Sequence, residues 1–198
     1  MKKFISNEGQ KYDLIADDFA AMRDSFNTEK KYLDLLKNYL KPADEILDLG
    51  CGHGFLASYL LEQQFKVTGV DASEKLLKIA RKNNPKMTCL YGDIQSIKID
   101  KKYDAIVEWW CLFHLNKQDQ LQMFKRFSDW LKPNGILEFT TGDSDHEAID
   151  STMLNQPLFF CSHLPGIYEK ALKENGFEIL LKESDQETHL VWIARKRG

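Results

Sequence analysis

The feature that most constrains this chain is the run Glu45-Ile46-Leu47-Asp48-Leu49-Gly50-Cys51-Gly52-His53-Gly54. Ile46, Leu47 and Leu49 are the apolar content of a parallel strand buried on both faces. The glycines permit positive φ and let a ligand approach the backbone with no Cβ in the way. Phe55 to Glu62 then reads as a helix, whose first turn offers unpaired N–H groups and the positive end of a dipole. Strand, glycine turn and helix in that order put a ligand site at the carboxyl end of the strand, as in open α/β sheets.

Around this run the chain alternates. Further strands are expected at 65–71, 87–91 and 103–109, with helices at about 54–64 and from a Ser73 cap to Asn83. Leu121, Met123, Phe124, Phe127, Trp130 and Leu131 recur at helical spacing over 117–131. Pro133-Asn134-Gly135 stops that helix and leads into a strand at 136–140. A helix at 164–174 and two strands, 177–182 and 189–194, close the chain, the strands as a hairpin. Repeated β-α-β units imply a doubly wound, mainly parallel sheet with helices on both faces.

The chain begins with a mostly helical preamble over 1–28. Tyr12, Leu14, Ile15, Phe19 and Met22 suit one face, and Asp17, Asp18 and Arg23 the other. A second helix opens at Asn27-Thr28-Glu29 and ends at Lys41-Pro42. Residues 142–162 show no period and read as a loop or substrate lid. The 198 residues suit a single domain, with 1–42 as an N-terminal helical lid.

A net charge of −3 gives no general attraction to nucleic acid or to an anionic membrane. The first thirty residues carry charges throughout, unlike a secretory signal, and no stretch is long and apolar enough to span a bilayer. Cys51, Cys89, Cys111 and Cys161 are scattered without a CxxC pair, so neither a metal site nor a disulfide framework is expected. That usage fits a reducing cytoplasm.

Asp71 lies about twenty residues past the glycine turn, where a ribose-binding acid belongs in a dinucleotide fold. This spacing alone does not separate a nicotinamide cofactor from another adenosine ligand. Three departures from the dinucleotide fingerprint do bear on it. The glycines run G-x-G-x-G, Asp48 sits inside the strand where a pyrophosphate would be repelled, and Asp93 follows the third strand. A carboxylate-rich pocket favours a cationic adenosine ligand with a free amino group.

Leu47 to Gly54 resembles the first motif of class I S-adenosylmethionine-dependent methyltransferases. The resemblance continues through Val70-Asp71-Ala72-Ser73, Gly92-Asp93-Ile94, Tyr103 to Glu108, Phe113-His114-Leu115 and Leu131 to Leu137. It covers roughly residues 12–195 and is similar in kind to small bacterial enzymes acting on small molecules. It implies a Rossmann-like, seven-stranded sheet whose last strand inserts antiparallel. It also implies S-adenosyl-L-methionine as cofactor, S-adenosyl-L-homocysteine as product, and a monomer or homodimer.

Carried over residue by residue, Gly50, Cys51 and Gly52 would lend backbone to the methionine end, and Asp48 would hold its amino group. Asp71 would take the ribose hydroxyls and Ala72 would pack near the adenine. Asp93 would accept from the adenine amino group, and Ile94 would cover the ring. Glu108 and Trp109 would face the sulfonium, while Tyr12 and Arg23 would close over the methionine tail.

Methyl transfer to an oxygen or nitrogen that starts protonated wants a base, and His114 is the candidate, since histidine titrates near neutrality. A structural histidine is the competing reading; His146 and His163 are weaker candidates. His53 and Cys51 read as turn residues. The strand end Glu108-Trp109-Trp110-Cys111 lacks the Asn/Asp-Pro-Pro-aromatic motif of enzymes that methylate adenine or cytosine amines. Three rivals stay open: an NAD(P)-dependent oxidoreductase, a protein that binds S-adenosylmethionine without turnover, and a macromolecular methyltransferase supported only by the short Arg195-Lys196-Arg197 end.

Overall fold

The computed structural model describes residues 7–25, 28–185 and 188–198. Its helices are α1 (Glu8–Leu14), α2 (Ala16–Met22), α3 (Glu29–Leu36), α4 (Phe55–Glu62), α5 (Glu74–Asn83), α6 (Lys117–Trp130) and α7 (Pro165–Glu174). Its strands are β1 (Glu45–Leu49), β2 (Lys66–Asp71), β3 (Thr88–Tyr91), β4 (Tyr103–Glu108), β5 (Leu131–Gly142), β6 (His146–Asp150), β7 (Leu158–Ser162), β8 (Phe177–Ser184) and β9 (His189–Lys196).

Seven strands form one sheet in the order β3-β2-β1-β4-β5-β9-β8. β3, β2, β1, β4 and β5 pair in parallel, and β9 inserts antiparallel beside β5. The expected antiparallel last strand is therefore present, and it forms a hairpin with β8.

Ile46, Leu47 and Leu49 are fully buried, and they divide between the two sides of the sheet. Ile46 joins a core built by Tyr32, Leu33 and Leu36 of α3, Ala57 and Leu60 of α4, and Leu77 of α5. Leu47 and Leu49 join the opposite core with Phe124 and Phe127 of α6 and Tyr168 and Leu172 of α7. This is the strand period of two operating inside a three-layer domain. Ser73 caps α5 as expected: its hydroxyl accepts from the Leu76 N–H at 3.1 Å.

Several expectations need correction. The preamble is not one amphipathic helix: it breaks at Ile15 (φ −119°, ψ 12°) into α1 and α2. As a result Leu14 and Met22, assigned to the apolar face, stand 71% and 47% exposed. α3 belongs to the core of the sheet, so of the described helices within residues 1–42 it is α1 and α2 that lie over the strand ends. Asn27, expected to open the second helix, lies outside the described residues.

The segment 142–162 is a second, two-stranded sheet: β6 and β7 pair antiparallel from His146↔Ser162 to Asp150↔Leu158. β5 begins earlier than expected. It takes in Leu131 and passes Pro133-Asn134-Gly135 through a register shift against β4 between Tyr103 and Ala105.

Candidate functional site

A cavity of about 460 Å³ opens at the carboxyl ends of β1, β2 and β4, within the range of small-molecule sites. The glycine turn forms its floor. Gly50, Gly52 and Gly54 have φ of 71°, 54° and 80°, the left-handed region where a side chain is strained. Gly50 also needs the space: a Cβ there would sit 2.5 Å from the Cβ of Cys111. The turn's N–H groups are used internally. Gly50 and Cys51 donate to the Val70 carbonyl at 2.8 and 3.0 Å, and Gly52 donates to Asp71 Oδ2 at 2.8 Å. The turn thus holds the strand-end acid in place and offers a ligand open space above it.

Asp71 also accepts from the Ser73 N–H at 2.7 Å through Oδ1. Burial pushes its carboxyl up to about 6, against the lowering effect of those two N–H donors. Asp48 lies deeper, at 1% exposure, and its Oδ2 has no hydrogen-bond partner. Burial, with the Asp71 charge beside it, raises Asp48 to about 7. An unpaired buried carboxylate oxygen lining a cavity is costly unless a ligand donates to it.

At the next strand end Asp93 lines the cavity and accepts from the Gln95 N–H at 2.7 Å, an Asx turn. Ala72 and Ile94 line the cavity between Asp71 and Asp93.

The cover is fastened at several points. Gly9 lets α1 lie directly on the loop after β2, since a Cβ there would be 2.4 Å from the Ala72 carbonyl oxygen. Asp13 accepts from the Ser73 hydroxyl at 2.6 Å, and Lys11 Nζ donates to the Pro157 carbonyl at 2.6 Å. Tyr12 and His114 meet, with the hydroxyl 3.1 Å from Nε2. His114 Nδ1 is 2.7 Å from the Phe159 carbonyl, which can only accept. Nδ1 therefore carries the proton, and Nε2 accepts from Tyr12. Burial holds His114 below its ordinary pKa and pushes Tyr12 above its own.

Arg23 lines the cavity but pairs with Glu29, a fully buried acid of α3. Glu29 also accepts from Trp110 Nε1 at 3.0 Å. Trp109 lines the cavity, its Nε1 donating at 2.8 Å to the buried Glu138.

Glu108 departs from its expected place. It is fully buried and does not line the cavity; Oε1 accepts from the N–H groups of Cys111 and Leu112 at 2.9 and 2.6 Å. Its carboxylate closes the turn after β4 instead of facing a ligand. Sequence reasoning also missed Glu29, Glu138, Glu8 and the pair Asp185–His189. Glu29 and Glu138 carry no local signal because their partners Trp110 and Trp109 come from distant parts of the chain, whereas the i,i+4 spacing of Asp185 and His189 was legible in the sequence. Among the described residues no cluster of side chains could hold a metal ion, and no helix is long and apolar enough to cross a membrane.

A family model described as a methyltransferase domain matches residues 46–135, the segment that builds the glycine turn and the acids around it. Over that segment, somewhat less than half of the chain, the sequence is similar to a methyltransferase domain. Curated methyltransferases agree over partial lengths. The chain is 28% identical over 150 residues to the malonyl-acyl-carrier-protein O-methyltransferase of Priestia megaterium, covering 71% of this chain and 50% of that protein. It is 34% identical over 102 residues to the ubiquinone biosynthesis O-methyltransferase of Rickettsia canadensis, covering 49% and 42%. The chain thus spans about half the length of the curated relatives it matches.

Among solved structures, the methyltransferase fold is shared with the 1,6-didemethyltoxoflavin-N1-methyltransferase of Burkholderia thailandensis, determined with its namesake compound and S-adenosylhomocysteine. That match has a TM-score of 0.75 at 17% identity, over 100% of this chain and 93% of that one. Beyond the strand tips, the cavity walls come from α1, α2 and the β6–β7 hairpin.

Proposed function

We propose that the protein transfers a methyl group from S-adenosyl-L-methionine to an oxygen or nitrogen of a small-molecule acceptor. The observation that carries this reading is the unpaired Asp48 Oδ2 at the cavity floor. Glu8, Asp71 and Asp93 line the same cavity, and its one arginine, Arg23, is already paired with Glu29. That charge balance suits a cation carrying an amino group and disfavours the pyrophosphate of NAD(P).

In this reading Asp48 holds the amino group and Asp71 accepts from the ribose hydroxyls. Asp93 accepts from the adenine amino group, with Ala72 and Ile94 against the ring. The carbonyls of Gly50, Cys51 and Gly52 border the methionine end, and Tyr12 and Arg23 close over it. Trp109 stands by the sulfonium, where an aromatic face contributes about 0.5–2 kcal/mol.

S-adenosylmethionine, when bound, would supply an electrophilic methyl on a sulfonium, the sulfur keeping the C–S electron pair and leaving as a neutral thioether. The chain's part is alignment and exclusion of water, for which in-line positioning is worth roughly 7–11 kcal/mol. The acceptor's proton passes to the Tyr12 oxygen as the Tyr12 proton passes to His114 Nε2. Among the described residues the four cysteines are free thiols, which fits the reducing cytoplasm.

One observation favours a second reading, a protein that binds S-adenosylmethionine without transfer: both nitrogens of His114 are engaged. Isothermal titration with S-adenosylmethionine, S-adenosylhomocysteine and NADH tests the cofactor, and release of S-adenosylhomocysteine across a metabolite panel tests transfer. Binding of NADH in preference to both sulfur compounds would overturn the reading.

A further inference from the structure

Beyond the cofactor end, the cavity wall is a continuous run of rings. From Tyr12 and His114 it passes to Phe160 (5.0 Å from the His114 ring) and Phe113 (5.4 Å from Phe160). It continues to Trp110 (6.4 Å from Phe113) and ends at His189, edge-on to Trp110 at 4.6 Å. All six side chains line the cavity, and they come from α1, the turn after β4, β7 and β9.

Trp110 is held there at a cost. Its φ of 62° is an outlier for a bulky residue, and three contacts fix it. Its N–H donates to Thr140 Oγ1 at 3.0 Å, its Nε1 to Glu29 at 3.0 Å, and its ring meets His189.

His189 is the polar end of this wall. Asp185, itself buried, grips it twice: Oδ1 accepts from the His189 N–H at 3.2 Å, and Oδ2 lies 3.0 Å from Nδ1. A carboxylate accepts from Nδ1–H, so in the neutral ring Nε2 is left as an acceptor. No hydrogen bond to Nε2 occurs among the described residues, and the side chain is 29% exposed.

We propose that the methyl acceptor is a planar aromatic compound carrying, apart from the atom that is methylated, a hydroxyl or amine donor, stacked among Trp110, Phe113 and Phe160, with that donor bound by His189 Nε2. This rests on the methyl-transfer reading for the word acceptor, but the ring-binding subsite stands on its own geometry. Offset-stacked and edge-on aromatic contacts add to the hydrophobic gain, so a flat ring gains more here than a saturated one. A site built to bond a hydroxyl also rejects an analogue that lacks it.

The test is calorimetric titration of the full chain with 2-naphthol, 2-methylnaphthalene and decahydro-2-naphthol, each with and without saturating S-adenosylhomocysteine. We expect 2-naphthol to bind about tenfold tighter than either analogue. His189→Ala should erase the preference for 2-naphthol over 2-methylnaphthalene and leave S-adenosylhomocysteine affinity unchanged. Asp185→Asn, which keeps the ring but alters which nitrogen holds the proton, should reduce that preference; His114→Ala should retain it.

Equal affinity for 2-naphthol and decahydro-2-naphthol, or no binding of either, overturns the aromatic assignment. A hydroxyl preference that survives His189→Ala, or is lost in His114→Ala instead, overturns the role of His189. Failure of S-adenosylhomocysteine to bind while 2-naphthol binds would sink the methyl-transfer reading and leave the subsite standing.

Discussion

The Tyr12 hydroxyl lies 3.1 Å from His114 Nε2, joining residues 102 positions apart. One hydrogen bond thus couples closure of the cover to the state of the candidate base. Tyr12→Phe keeps the ring and removes the proton path. Turnover should fall on the order of 10²-fold, with cofactor affinity little changed. The double variant with His114→Ala should be no slower than the worse single one, because the two act as a unit. Additive losses in steady-state kinetics would show that they act separately.

Asp48 carries a pKa of about 7 while its Oδ2 is unpaired. An ammonium placed against it favours the ionised form and lowers that pKa. Binding of S-adenosylmethionine at pH 6.5 should therefore release protons. Calorimetric enthalpies in phosphate and in Tris should differ accordingly, and the difference should shrink in Asp48→Asn. Enthalpies independent of buffer in the wild-type protein would place the amino group elsewhere.

Glu138 is fully buried, and burial raises it to about 8 while the Trp109 N–H pulls the other way. The folded state then keeps a proton that the unfolded chain releases near its ordinary value of 4.5. Stability from this group is complete below that value and is lost as pH rises toward 8. Glu138→Gln retains an acceptor for Trp109 and does not titrate. Its stability relative to wild type should rise by roughly 1 kcal/mol per pH unit across that window and level off above it. Urea titrations at a series of pH values measure this directly.

Gly50 and Gly52 separate structural need from ligand space. Both have positive φ, but only Gly50 has a neighbour, Cys111, in the path of a Cβ. Gly50→Ala should cost roughly 2–4 kcal/mol from strain and overpacking together. At Gly52 the nearest atom to a Cβ is Phe19 Cε1 at 3.8 Å. Gly52→Ala should cost only about 1–2 kcal/mol in chemical denaturation. Its larger effect should be on cofactor affinity, because the methyl enters the cavity.

Asp71 accepts two backbone N–H groups and faces the cavity. Asp71→Ala should weaken S-adenosylmethionine by roughly 1–3 kcal/mol, the scale of hydrogen bonds to a charged group. Calorimetry on the folded variant reads this, and an unchanged affinity would remove Asp71 from the site.

The sequence by itself determined the sheet and the floor of the site. Ile46, Leu47 and Leu49 can satisfy both faces only inside a covered parallel sheet, and the Gly50–Gly54 turn needs residues without Cβ. Both signals are local, a period of two and a set of positive φ angles, so they can be read along the chain.

The tertiary structure decided what stands around that floor. Glu108 looks like another strand-end acid, but the N–H groups of Cys111 and Leu112 draw it inward. The β6–β7 hairpin escaped notice because neither strand alternates: β6 is mostly exposed, with Ile149 at 69%, and β7 is buried along nearly its whole length. The contacts of Tyr12 with His114, Trp110 with Glu29, and Trp110 with His189 join elements far apart in sequence. Such pairings depend on how separately folded segments meet, and no local periodicity encodes that.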